Sequence, residues 1–205
     1  MNKRKGLVVY LHGVLGSAEE SRTFSYINKY DVVGLNYEDG APWVVGPFIK
    51  KKFEELIKPL KDVIVIANSM GAFYTYAYLD QTKIKQAFFI SPLANMKSII
   101  ECRMDKEGVT EKELKHKKYI KLDNGQEFDY YFFEKYVLDK HIDKWDVPTE
   151  ILYAENDQII KREDVVSFVK KHPNTNLTIK HNSLHYLHTA EELEFIKNWI
   201  LERIQ

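Results

Sequence analysis

Short, unbroken apolar runs punctuate this chain, and they leave it few ways to fold. GLVVYL at 6–11, DVVGL at 31–35, VIVIA at 63–67, QAFFI at 86–90 and EILYA at 150–154 are rich in β-branched and aromatic residues. Each is too short for a helix. Runs of this kind read as strands buried on both faces, which is the habit of a parallel sheet. A sixth, shorter strand is expected at 177–179. Helical patterns lie between the runs. One helix is expected at 18–28. A second spans 47–60, where Ile49, Phe53, Leu56, Ile57 and Leu60 recur at helical spacing with Pro59 near the end. Val165, Phe168 and Val169 mark a third. The last opens on a capping box, Thr189 with Glu192, and its apolar face is expected to hold Leu193, Ile196, Ile200 and Ile204. Strands alternating with helices imply right-handed crossovers and a mainly parallel sheet covered on both sides.

The rhythm breaks once, at 92–147. This stretch is lysine-rich and reads as helical at first. Asn124-Gly125 then signals a hairpin with a two-residue turn, and an aromatic-rich helix is expected at 129–141. A chain of 205 residues, 44% hydrophobic, suits one α/β domain carrying this insertion.

Thirty basic residues balance thirty acidic ones, so no general phosphate-binding surface is expected and nucleic acid is excluded as a partner. Cys102 is the only cysteine, so no internal disulfide can form. The apolar run near the N-terminus is too short for a signal peptide, and no stretch reaches membrane-spanning length. A soluble, cytoplasmic protein without a membrane partner is the expectation. Oligomeric state cannot be read.

The chemistry centres on VIVIANSMGAFYTYAY at 63–78. Ser69 stands where a buried strand ends and an apolar helix begins. Serine in that place can be an ordinary helix N-cap. It can also be a nucleophile raised on a strained turn. That second role demands small residues two before and two after it, because strand and helix backbones converge there. Ala67 and Gly71 meet the demand.

Ala67-Asn68-Ser69-Met70-Gly71 resembles the nucleophile elbow of the α/β-hydrolase superfamily, with alanine in place of the commoner first glycine. Leu11-His12-Gly13 resembles the oxyanion loop of the same family. The order of motifs matches along nearly the whole chain, most closely to small bacterial serine hydrolases. The resemblance implies a three-layer α/β-hydrolase fold of about six mainly parallel strands. The first two strands of the family would be missing, and a small cap at 92–147 would follow the fourth strand.

It also implies partners for the serine, in the chain order Ser, Asp, His. The acid would be Asp157, past the strand at 150–154, with Glu155 as the fallback. The base would be His185, followed by two apolar residues and the last helix, with His188 as its rival. His181 belongs to the end of a strand, and the spacing needed for a metal site is absent. His12 would brace the oxyanion loop. His116, His141 and His172 read as surface residues. Backbone N–H groups of Val14 and Met70 would form the oxyanion hole. Tyr130, Tyr131, Phe132, Phe133 and Tyr136 would either pack the cap or line a pocket. The implied activity is hydrolysis of a small-molecule acyl substrate, most simply a carboxylic ester, without metal or organic cofactor. Thioesterase, amidase and acyltransferase activities use the same three residues. A non-catalytic binding member of the fold is the alternative from another class.

Overall fold

The computed structural model describes residues 6–58, 63–135 and 144–205. Its elements run β1 (Gly6–Leu11), a 3-10 helix (Ala18–Phe24), β2 (Tyr30–Gly34), α1 (Pro42–Ile57), β3 (Val63–Asn68), α2 (Met70–Tyr78), β4 (Ile84–Ile90), α3 (Met96–Lys106), α4 (Glu111–Lys117), β5 (Tyr119–Lys121), β6 (Glu127–Asp129), α5 (Tyr130–Phe133), β7 (Thr149–Ala154), α6 (Arg162–Lys171), β8 (Thr175–Lys180) and α7 (Ala190–Arg203). They form two compact units. One comprises Met1–Ala94 with Lys144–Gln205, the other Asn95–Asp143.

In the first unit six strands form one sheet in the order β2-β1-β3-β4-β7-β8. Every pairing is parallel. In the inner strands β1, β3, β4 and β7 the unbroken apolar runs are explained by burial on both faces. One face carries Val8, Tyr10, Ile64, Ile66, Phe88 and Leu152 into a cluster with Ile196, Trp199 and Ile200 of α7. The residues between them, Val9, Val65, Ala67 and Phe89, are fully buried as well. There Phe89 meets Tyr76 of α2 and Trp145.

Several expectations are corrected. The helix expected at 18–28 is a short 3-10 helix followed by turns, because its two buried side chains, Ser21 and Phe24, sit at the three-residue period of that helix. α1 starts at Pro42, a proline suited to a first helical position, and Pro47 falls inside it. Pro59 and Leu60 lie outside the described residues. On α7, Leu193 is 37% exposed, and Trp199 takes the buried place not foreseen for it. His172 is not at the surface. Its ring packs 4.4 Å from Phe168 and the residue is 3% exposed. Burial, with Lys171 adding, holds its imidazole below the usual histidine range. His116 is exposed, and His141 lies outside the described residues.

The second unit begins later and ends earlier than 92–147. Leu93 belongs to the first unit, where its N–H donates to the Ser69 carbonyl and its carbonyl accepts from Tyr76. Trp145 is buried there too and donates to Thr149. Within the second unit, Asn95 and Thr110 cap α3 and α4. β5 and β6 form an antiparallel hairpin. Its loop is Asp123–Asn124–Gly125, one residue longer than expected. Only Gly125 of the Asn-Gly pair has positive φ, so the turn is a type I turn closed by a left-handed glycine rather than a two-residue turn. Glu107 pins the loop by accepting from Asn124 and Gln126. Tyr130 and Phe133 stack and are buried, so these two rings pack the unit's own core. Tyr136 and the rest of the helix expected at 129–141 lie outside the described residues. Among the described residues no helix is long and apolar enough to cross a membrane.

Candidate active site

Parallel strands deliver all their following loops to one edge of a sheet. Four such loops matter here, after β1, β3, β7 and β8. The loop after β3 is a single residue. Ser69 has φ 47° and ψ −111°, in the left-handed region that a non-glycine residue enters only under constraint. The constraint is visible. The Ser69 N–H donates to the Ile90 carbonyl at 3.0 Å, and its carbonyl accepts from Ala72 and Leu93, each at 3.1 Å. Gly71 permits the turn, because a Cβ there would stand 2.3 Å from the Leu11 carbonyl oxygen.

After β7, Asp157 turns its side chain wholly out of solvent. Its Oδ1 accepts from the N–H groups of Ile159 and Ile160, both at 2.8 Å. Its Oδ2 lies 2.6 Å from Nδ1 of His185. One carboxylate thus shapes its own turn and orients an imidazole. His185, on the loop after β8, is buried, and its Nε2 lies 3.1 Å from Ser69 Oγ. Because a carboxylate can only accept, Nδ1 carries the proton toward Asp157 and Nε2 faces the serine hydroxyl as acceptor. Ser69, His185 and Asp157 therefore form one continuous hydrogen-bonded chain.

Among the described residues the other two histidines of that loop form no hydrogen bond to Ser69. His181 Nδ1 is 3.0 Å from Glu155, whose carboxylate is held below its usual range by the Asn182 N–H and then by His181. Glu155 is thus engaged away from Ser69. His188 lines the cleft in front of Ser69. Among the described residues no group of three or more His, Cys, Asp or Glu side chains is arranged to hold a metal ion.

After β1 comes the His12-Gly13 loop. His12 is buried, stacks on Tyr37 at 3.9 Å, and directs Nδ1 to the Gly13 carbonyl at 2.8 Å. The Tyr37 hydroxyl donates to the His12 carbonyl, and burial pushes that hydroxyl's pKa up, keeping it a donor. Asp39 Oδ2 accepts from Leu15 N–H at 2.9 Å, tying the loop down from the far side. Gly13 lies against the serine: a Cβ there would be 3.2 Å from Ser69 Cβ. Met70 is the first residue of α2, where N–H groups have no intrahelical acceptor. Among the described residues neither the Met70 nor the Val14 N–H meets an acceptor. A cleft of about 460 Å³ opens here, lined by Val14, Glu20, Asn68, Ser69, His185 and His188 among others. Sequence reasoning missed Tyr37, Asp39 and Glu20.

No protein-family model matches the sequence, and no curated protein matches it. Solved structures do resemble the fold. Est1E from Butyrivibrio proteoclasticus, with ferulic acid bound, superposes with a TM-score of 0.73 at 18% identity, covering 98% of this chain and 90% of that one. Alpha/beta hydrolase domain-containing protein 10 from mouse gives a TM-score of 0.73 at 13% identity, with the same two coverages. An esterase from Exiguobacterium antarcticum gives 0.66 at 15%, covering 97% and 92%. The six-stranded parallel sheet and these superpositions define the α/β-hydrolase fold for this chain.

Proposed function

We propose that this protein is a serine hydrolase that cleaves carboxylic esters of small molecules. The single observation that carries the reading is the hydrogen-bonded chain itself. His185 stands 3.1 Å from Ser69 Oγ and 2.6 Å from Asp157. A serine hydroxyl is a weak nucleophile, and an imidazole held in the right tautomer removes that obstacle.

In the first step His185 Nε2 takes the Ser69 proton as Oγ attacks the substrate carbonyl. The Val14 and Met70 N–H groups receive the oxyanion, where each such donor is worth roughly 10²–10³ in rate. Asp157 stabilises the imidazolium, which then protonates the departing alcohol. Water, deprotonated by the same histidine, attacks the acyl-enzyme and releases the acid and free Ser69. No step calls for a metal or organic cofactor. The ester assignment is supported by the esterases among the structurally similar proteins. We also propose a cytoplasmic location, with which the free thiol of Cys102 agrees.

A fluorophosphonate probe tests the reading. It should attach to Ser69, located by peptide mass spectrometry, and Ser69→Ala should remove both labelling and turnover of simple 4-nitrophenyl esters. A folded protein that neither labels nor hydrolyses any ester, thioester or amide would favour the binding alternative.

A further inference from the structure

The cleft holds a carboxylate for which the proposed chemistry has no use. Glu20, on the 3-10 helix, lines the same space as Ser69 and His185. It also lines a side pocket of about 80 Å³ together with Tyr10, Asn68 and His188. Its position is held from two directions. Oε1 accepts from the Ser17 N–H at 2.9 Å, and Oε2 accepts from the Tyr10 hydroxyl at 2.5 Å. The Tyr10 hydroxyl is buried, and burial followed by the Glu20 bond pushes its pKa up, so it remains a donor. Each carboxylate oxygen keeps acceptor capacity beyond these bonds.

What the carboxylate lacks is a cation. No lysine or arginine lines either space. Among the described residues none forms an ion pair with Glu20. A fixed negative charge in a concave, partly apolar site raises the local concentration of positive ligands and lowers that of negative ones. Beside Asn68, Ser69, His185 and His188 the wall has an apolar part. Val14, Leu15, Ile159 and Tyr186 line the cleft and stay exposed.

We propose that Glu20 is a specificity-determining residue that selects esters carrying a cationic group on an otherwise apolar body, and disfavours anionic ones. This rests on the ester-hydrolase reading above.

The test uses isosteric substrate pairs that differ only in charge. One pair is a trimethylammonio-alkanoyl 4-nitrophenyl ester against its tert-butyl counterpart, which places the charge on the acyl side. The other is a choline ester against the 3,3-dimethylbutyl ester, which places it on the alcohol side. The full-length protein should prefer the cationic member of at least one pair by tenfold or more in kcat/KM. That preference should shrink as salt is raised, since the charge is at a solvent-accessible cleft. In Glu20→Gln the ratio should fall toward one, and in Glu20→Asp it should be partly kept. Equal rates within both pairs, or a preference that survives Glu20→Gln, overturns the proposal while leaving the hydrolase reading intact. A salt-insensitive preference in the unmodified protein overturns it even if Glu20→Gln does not fold. Loss of all ester turnover together with failure of the fluorophosphonate to label Ser69 overturns both readings.

Discussion

Ser69 occupies a backbone conformation that costs folding energy, and that conformation sets the residue on the wall of the cleft. At φ 47° a side chain is strained and glycine is not. Ser69→Gly should therefore raise stability by about 1 kcal/mol in urea denaturation while turnover falls by on the order of 10⁵–10⁶. Ser69→Ala should lose the same activity without that gain, since alanine keeps the Cβ. A Ser69→Gly variant no more stable than Ser69→Ala would show that the turn is unstrained. Asp157 permits a second separation of roles. In Asp157→Asn, the amide oxygen can still accept from Ile159 and Ile160, so the fold should persist. The amide nitrogen would then face His185 Nδ1 as a donor and reverse the tautomer. Turnover should drop by about 10⁴ with a nearly unchanged melting temperature. A fall of less than tenfold would remove Asp157 from the mechanism.

The elements differ in how openly the sequence declares them. The four inner strands of the sheet were readable because double-sided burial writes itself as continuous apolar letters, whereas the half-exposed edge strands β2 and β8 showed only the shorter signals at 31–35 and 177–179. Ser69, Asp157 and His185 could be nominated because each follows a strand and carries a local signature. Glu20 and Asp39 could not, since one reaches the site from a short polar 3-10 helix and the other from a polar loop, and a bond such as Leu15 to Asp39 leaves no trace in either segment alone. His172 misled for a similar reason. It ends α6 among lysines, a surface-like context, yet its ring folds back over Phe168. That placement has a pH consequence. Because its folded-state pKa is depressed, the unfolded chain takes up the proton first as pH falls below about 6.5. The stabilisation is whole above that pH and declines below it until the folded imidazole also protonates. Denaturation curves between about pH 5 and 7 should show stability rising with pH, and His172→Gln should flatten that rise. Identical slopes in both proteins would mean that the ring is solvated in solution.

At the scale of the whole molecule, the hydrogen-bonded chain of Ser69, His185 and Asp157 and the loop that faces it are assembled within one unit, from strand ends that parallel pairing brings to one edge. The centre of the sheet that holds them is buried: Val63, Ile64, Val65, Ile66 and Ala67 of β3 and Ala87, Phe88 and Phe89 of β4 are fully shielded. The unit at Asn95–Asp143 is built differently. Its strands have three residues each, α5 has four, and α4 has seven. Its ion pairs Lys97–Glu101, Lys117–Glu113 and Lys121–Glu127 are exposed, and water and salt screen pairs of that kind so that they add little to stability. Short elements with few fully buried side chains open locally at lower free energy than a covered parallel sheet. Hydrogen exchange read by mass spectrometry should therefore show two tiers. Peptides from 96–133 should exchange at a free energy below the global value and with a shallow dependence on denaturant, because little surface is exposed in a local opening. Peptides from β3 and β4 should exchange only through global unfolding, with the full denaturant dependence. Merging of the two sets at every denaturant concentration would mean that the chain unfolds as one cooperative body, and that the stability of the second unit cannot be tuned without touching the sheet that positions Ser69.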